Sequence, residues 1–488
     1  MHRLFLGLSL SIAFVLPAIH SSAQTPPTEP EVQVLGCNTD FPCPERLLPV
    51  VRGWIRFFTT PDSIALIHDS SIVQRVYSSV KIPSRTDLEK RIQEMERDED
   101  KKKARERWAR EKEQLVGNAK KEKWDLLQTT ARKLQKGSTT WTNDELEIRK
   151  LVRSDNPSFF REAANRIVGR EGLLNEFLER LPAWAGDLPM VWDKIDSRNL
   201  PCDVTYISLA ESVYHLYALS SAGAKGPYQI MPSTARDYGG NRCKGVDECF
   251  DPEDASEITL DFLSDSYQLV LEALQSVEEK AGRELAGPFV ITAYNAGPGR
   301  VSNAIKRIHS TDFVDVLWTY IDPYWGIAVQ NYYATFLAAR HVALSLDLPA
   351  AAPFTAGKER FRLEKAVSAA RVASLLGIGL DLLHEMNPGM RIPGTKEKWT
   401  TILPKNYNLR IPALDEAARK TFLAELQKPV KARKKPPARL YTVAVGDTLS
   451  SIASKHQISI DELLAANQNL HLDKPVRVRQ KLVIPKAN

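Results

Sequence analysis

The stretch Asp203-Val204-Thr205-Tyr206-Ile207-Ser208-Leu209-Ala210-Glu211-Ser212-Val213-Tyr214 decides how this chain is read. Asp203 is a helix-capping residue type. A helix starting at Val204 brings Val204, Ile207, Glu211 and Tyr214 onto one face through the i, i+3, i+7 spacing. A carboxylic acid is then placed on an apolar stripe. Lost hydration favours its neutral form, so its pKa is expected to rise towards the range a general acid needs near neutral pH. Spacing alone does not establish catalysis, because a buried Glu is as readily the partner of an Arg or Lys.

The surroundings point towards chemistry. The run Ser220-Ser221-Ala222-Gly223-Ala224-Lys225-Gly226-Pro227-Tyr228-Gln229 begins soon after Glu211. Its small residues permit close backbone approach to a ligand, and the Gln229 amide can both give and accept hydrogen bonds. Downstream, Ala293-Tyr294-Asn295-Ala296-Gly297-Pro298-Gly299 sets an aromatic hydroxyl and an amide at a glycine-rich bend. Helical patterns are expected over 173–181, ending at Pro182, and over 255–279, 289–294, 301–308 and 327–343.

Glu211-Ser212, the 220–229 loop and Ala293-Tyr294-Asn295 stand in the order found in the soluble lytic transglycosylase domain, with Met231-Pro232-Ser233-Thr234-Ala235 after the loop. Over about 174–343 the chain resembles the membrane-bound D-type branch of that family. The resemblance implies a lysozyme-like helical catalytic domain that cleaves the β-1,4 bond between N-acetylmuramic acid and N-acetylglucosamine and leaves 1,6-anhydro ends. It implies Glu211 as sole acid and base, and substrate binding by Ser220, Gln229, Tyr294 and Asn295. Tyr294 is expected against the catalytic carboxyl, Asn295 at its turn. No metal and no cofactor are implied. The chain departs from the family pattern at His215-Leu216, at Pro227-Tyr228 and at Ala328-Val329-Gln330.

The C-terminal part repeats itself. Val372-Ala373-Ser374 recurs as Ile452-Ala453-Ser454, and Ile378, Asp381, Leu383 and Asn387 recur at a constant offset as Ile458, Asp461, Leu463 and Asn467. Each copy closes on Ile-Pro, at Ile411-Pro412 and Ile484-Pro485. With Tyr441-Thr442-Val443 and Gly446-Asp447-Thr448-Leu449, the second copy resembles a LysM module, a βααβ glycan-binding fold. That resemblance makes Asp447, Thr448 and Asn467 glycan-binding candidates. The first copy lacks a Gly-Asp-Thr block and reads as a diverged module or a structural spacer.

At 488 residues the chain is long enough for roughly two to four domains. The expected organisation is a signal peptide (1–23), an N-terminal helical extension with a charged arm (24–157), the catalytic domain (158–345), a diverged LysM-like module (358–415), a basic proline-bearing linker (428–438) and a LysM module (439–487). The fold class is mainly α. The signal reading rests on His2-Arg3, the apolar run 4–16 and Ser21-Ser22-Ala23; an uncleaved anchor is the alternative. Export to the periplasm or cell envelope follows, with no transmembrane span in the mature chain. A net charge of +6 suits an anionic polymer such as peptidoglycan glycan strands but does not argue for nucleic acid. Residues 87–136, dense in both charge signs, read as a long solvated helix or hairpin, either a plain arm or a surface for a protein partner. Of five cysteines, Cys37 with Cys43 and Cys243 with Cys249 can each close a small loop, and Cys202 reads as a core thiol; the odd count leaves the pairing open. Two other functions fit the same residues. One is a goose-type lysozyme-like hydrolase, which would draw on a second carboxylate such as Asp237 or Asp247. The other is a cell-wall-binding scaffold with weak or no activity.

Overall fold

A computed structural model describes residues 34–95, 97–239, 246–391, 399, 401–428, 439–444, 446–456, 458, 463–464, 466–467, 470 and 476–484. The signal-peptide stretch, Cys243, Pro485 and most of the linker lie outside the described residues. The chain is about 59% helical and divides into two compact units, Met1–Ala413 and Leu414–Asn488.

The first unit opens with α1 (Leu48–Thr59), whose apolar face packs along the later helix Ile327–Leu346. A hairpin follows, β1 (Ile64–Asp69) and β2 (Ile72–Lys81), then α2 (Arg85–Gln93), α3 (Asp98–Gln135), α4 (Asn143–Val152), α5 (Pro157–Asn165) and β3 (Ile167–Glu171). The three strands form one antiparallel sheet in the order β2-β1-β3, with Leu66 opposite Arg170. The extension is therefore not purely helical. Strand β3 pairs with a partner about a hundred positions upstream, and such a pairing leaves no local pattern in sequence. The charged stretch 87–136 spans two helices, α2 and the long α3, joined by an Arg105–Glu89 pair at 3.0 Å. In α3 the buried apolar contacts lie near its C-terminal end, where Leu127 and Ala131 pack on Ile67, Ile148 and Phe160, while its first turns carry surface pairs such as Lys103–Glu99 at 2.7 Å.

Helix α6 (Leu174–Ser197) runs straight through Pro182 and Pro189, so Pro182 does not end it. The Pro182 carbonyl accepts from Ala351 N at 2.8 Å. The segment Cys202–Tyr206 is a 3-10 turn, and α7 (Ile207–Ser212) is only six residues long. Asp203 does not cap it; its carboxylate pairs with the wholly buried Arg340 at 2.8 Å. Val213 and Tyr214 adopt left-handed backbone (φ 49° and 55°), so Tyr214 leaves the helix face expected for it. Then come α8 (Pro232–Asp237), α9 (Pro252–Gln275), α10 (Ala286–Ala296), α11 (Pro298–Ile308), α12 (Phe313–Thr319) and α13 (Ile327–Leu346). Helix α10 is buried along most of its length within the large apolar core. Cys37 and Cys43 form a disulfide with Cα atoms 5.5 Å apart. Cys249 is a buried thiol, and Cys202 is exposed rather than a core residue.

The first repeat copy is part of this unit: β4 (Lys358–Arg362), β5 (Val367–Ser368), α14 (Ala369–Leu376), α15 (Leu380–Met386), β6 (Ile402–Leu403) and β7 (Asn408–Pro412), with β4 paired to β7 and β5 to β6. Buried Arg410 pairs with Asp251 at 2.5 Å and Glu253 at 2.6 Å, and Arg360 with Asp254 at 2.6 Å, fastening the copy to the start of α9. The second unit contains α16 (Glu416–Gln427), β8 (Arg439–Thr442), α17 (Leu449–Lys455) and β9 (Lys481–Ile484), with β8 and β9 antiparallel around an apolar core including Ile452, Leu463 and Leu482. Among the described residues no helix is long and apolar enough to cross a membrane.

Candidate active site

Glu211 is the next-to-last residue of α7, and the turn after it fixes where its carboxyl points. The Ser212 hydroxyl donates to the Pro227 carbonyl at 2.9 Å and accepts from His215 N at 2.9 Å. One side chain thus ties the end of α7 to the 220–229 loop. The Tyr214 hydroxyl donates to buried Asp187 at 2.7 Å, anchoring the far side of the turn. Within the loop Gly226 has φ +73°, and a Cβ there would lie 1.7 Å from the Cys249 carbonyl oxygen. That glycine is needed because the backbone meets another backbone, not a ligand.

The Glu211 carboxyl is half-buried. Its hydrogen-bond partner is the Tyr332 hydroxyl, which donates to Oε1 at 2.5 Å. No cation among the described residues lies within ion-pair distance of the carboxyl. Burial pushes its pKa up to about 7, and the Tyr332 bond offsets only part of that rise. The carboxyl borders two cavities. One, of about 780 Å³, is also lined by Asn295, Asn331 and Tyr332 from α10 and α13, and by residues of the N-terminal sheet. The other, of about 670 Å³, is lined also by Arg180, His215 and Gln229. A neutral acid between two hollows can hand a proton to a group lying across both.

Of the residues expected here, Gln229 borders one cavity and Asn295 the other. Gln229 has φ 49° and its Nε2 donates to the Gly226 carbonyl at 3.0 Å. Tyr294 stands one ring back: its hydroxyl donates to the Tyr228 carbonyl at 2.7 Å and its ring stacks on Tyr332 at 6.5 Å. The hydroxyl on the Glu211 carboxyl is therefore that of Tyr332, 121 positions away in sequence. Nothing local in the sequence marks Glu211 as the partner of Tyr332. Ser220 supports its loop, accepting from Ala224 N at 2.9 Å.

Three further residues flank Glu211. His215 is held neutral, its pKa pushed down to about 4 by burial and then by Arg180 and other guanidiniums. Arg180 shows no ion pair among the described residues; its bond is a long one to the Ser212 carbonyl, 3.5 Å. Glu176 is buried and borders both cavities, but Arg85 clamps it. Asp247 is committed to Lys225 at 2.5 Å, Asp237 is exposed near the end of α8, and neither lines the Glu211 cavities.

In the second unit Asp447 accepts from Tyr441 Oη at 2.7 Å and Ala444 N at 2.8 Å. Thr448 caps α17. The Asn467 side chain bonds the Leu463 carbonyl and both the N–H and carbonyl of Val483. All three hold the module together internally.

Residues 196–315 match the family profile of the transglycosylase SLT domain, and 441–485 match the LysM domain. The chain is 28% identical over 295 residues to the membrane-bound lytic murein transglycosylase D of two Escherichia coli strains, covering 57% of this chain and 60% of each relative. It thus spans less than two thirds of those relatives' length. A solved inactive mutant of the lytic transglycosylase Slt from Pseudomonas aeruginosa is 20% identical with a TM-score of 0.24, over 33% of this chain and 24% of that one. The chain carries an SLT domain around Glu211 and a LysM domain in its C-terminal unit.

Proposed function

We propose that this chain is a peptidoglycan lytic transglycosylase of the cell envelope, cleaving the β-1,4 bond between N-acetylmuramic acid and N-acetylglucosamine with 1,6-anhydromuramoyl products. The observation that carries the reading is the setting of Glu211: its pKa raised by burial to about 7, free of any ion pair among the described residues, held by one tyrosine, and open to two cavities. The two domain matches and the murein transglycosylase relatives support the same class.

Glu211 protonates the bridging oxygen as the glycosidic bond breaks. Its carboxylate then takes the proton of the muramoyl C6 hydroxyl as that oxygen attacks C1. The atoms balance without water, and the proton given to the leaving sugar is regained from the hydroxyl. Ordinary glycosidases need a second carboxylate to serve or activate a nucleophile. Here the nucleophile is tethered to the reacting centre, so one carboxyl suffices. Tyr332 orients that carboxyl, leaving the other oxygen for the proton in flight. Gln229 and Asn295 position the sugar chain on either side, with Tyr294 backing Tyr332. The extension (24–157), catalytic domain (158–345) and C-terminal modules act in series on one polymer, the LysM module keeping the strand near the groove. The outward charged face of α3 is where a protein partner would be met.

Digestion of purified sacculi tests this. The full chain should release anhydro-ended muropeptides, and Glu211→Gln should release none while remaining folded by circular dichroism. Release by a folded Glu211→Gln protein would defeat the assignment.

A further inference from the structure

The larger cavity beside Glu211 has a second wall that no SLT match covers. It is built by Trp54 on α1, His68 on β1 and Arg170 on β3, all before residue 196. Leu66 faces Arg170 across the β1–β3 ladder, and His68 lies two positions along the same face of β1, so the sheet sets the two side chains side by side. The Arg170 guanidinium lies 5.2 Å over the Trp54 ring and 5.9 Å over Phe57, which itself meets His68 edge-on at 4.8 Å.

The polar atoms of this cluster are unspent. Arg170 has no carboxylate within ion-pair distance among the described residues, whereas its cationic neighbours on the same cavity, Arg85 and Lys112, are paired with Glu176 and Glu171. His68 is 4% exposed; its Nδ1 lies 2.8 Å from the Asp69 carbonyl and must donate to it, which leaves Nε2 as an acceptor. That Nε2 and the Trp54 Nε1–H have no hydrogen-bond partner among the described residues. A buried polar atom without a partner costs stability and marks a place where a ligand group fits.

We propose that Trp54, His68 and Arg170 form a substrate subsite on the N-terminal sheet for a carboxylate-bearing N-acetylamino sugar, Arg170 taking the carboxylate and His68 and Trp54 an N–H or hydroxyl and an oxygen of the sugar. The wall rests on the transglycosylase reading above and adds to it: the extension selects strands whose muramoyl units keep a free lactyl or stem-peptide carboxylate. A planar guanidinium stacked on an indole is preorganised for a bidentate carboxylate contact.

The test compares the full chain with Arg170→Gln and Arg170→Lys on two soluble strand preparations, one with free carboxylates and one with them amidated. On free-carboxylate strands Arg170→Gln should raise KM about ten- to a hundredfold with little change in kcat. On amidated strands the two proteins should coincide, and Arg170→Lys should recover part of the loss. Equal KM values on free-carboxylate strands, or an equal loss on both preparations, would overturn the subsite. Failure of the unaltered chain to cleave either preparation would count against the transglycosylase reading instead. In that case calorimetry on the same proteins still decides the subsite, which requires Arg170→Gln to remove a carboxylate-dependent component of strand binding and is refuted if the isotherms match.

Discussion

Glu211 carries opposite consequences for rate and stability. Its folded pKa, about 7, lies above the ordinary 4.5 of an unfolded Glu. The folded state therefore holds the proton more tightly, and the carboxyl opposes folding increasingly as pH rises from 4.5 to 7. Glu211→Gln is expected to raise the unfolding free energy at pH 8 by roughly 2–3 kcal/mol and to leave it nearly unchanged at pH 4, as read by urea titration at both pH values. For the unaltered chain, kcat/KM should fall about tenfold per pH unit above 7, because the protonated acid is being lost. Tyr332→Phe removes the bond that holds this pKa down, so the alkaline limb should move to higher pH while the rate drops by about one to two orders of magnitude. A pH–rate profile checks both effects. Glu211 stands out in sequence as a candidate acid because its apolar neighbours are adjacent in the chain. Tyr332 was not legible as its partner, since the contact is made only once α7 and α13 pack.

Among the elements, the repeat shows what a sequence pattern can and cannot foretell. Asn387 donates to the Leu383 and Arg410 carbonyls and accepts from Arg410 N, the same set of bonds that Asn467 makes to Leu463 and Val483. The shared asparagine ties the helix end to the closing strand in the same way in both copies. What the repeat concealed is that the first copy is welded to α9 through Arg410, which Asp251 and Glu253 neutralise. Removing one partner of a buried pair strands the other's charge, so Arg410→Ala should cost the first unit about 3–5 kcal/mol by calorimetry. Gly226→Ala forces a Cβ into the Cys249 carbonyl and a strained φ besides. It should lower the same unit's melting temperature and, by displacing Gln229, reduce sacculus cleavage; a variant as stable and active as the parent would show that the loop relaxes freely. The 220–229 loop is recognisable from its composition, and of its two glycines Gly226 serves packing while Gly223 faces open space. Local propensity weighs proline heavily and predicts an end of α6 at Pro182; burial of Phe177, Leu181, Trp184 and Val191 in the core carries the helix past it.

On the scale of the whole molecule, the two units carry separable tasks in this account. Deleting 414–488 should weaken retention on insoluble sacculi in a pelleting assay while leaving cleavage of soluble strands nearly unchanged; an equal loss of both would make the second unit part of the catalytic machinery. The mainly α class and the C-terminal module could be read from periodicity and motif blocks, which are local. The N-terminal sheet could not, because β1 and β3 are brought together by a chain reversal through α3, and the wall it gives the groove appears only in three dimensions. In the proposed reaction a single carboxyl works with a nucleophile supplied by the substrate. Digesting sacculi in isotopically labelled water and weighing the new muramoyl ends tests it directly. Anhydro ends carrying no oxygen from the solvent are predicted; reducing ends that have taken up labelled oxygen would contradict it.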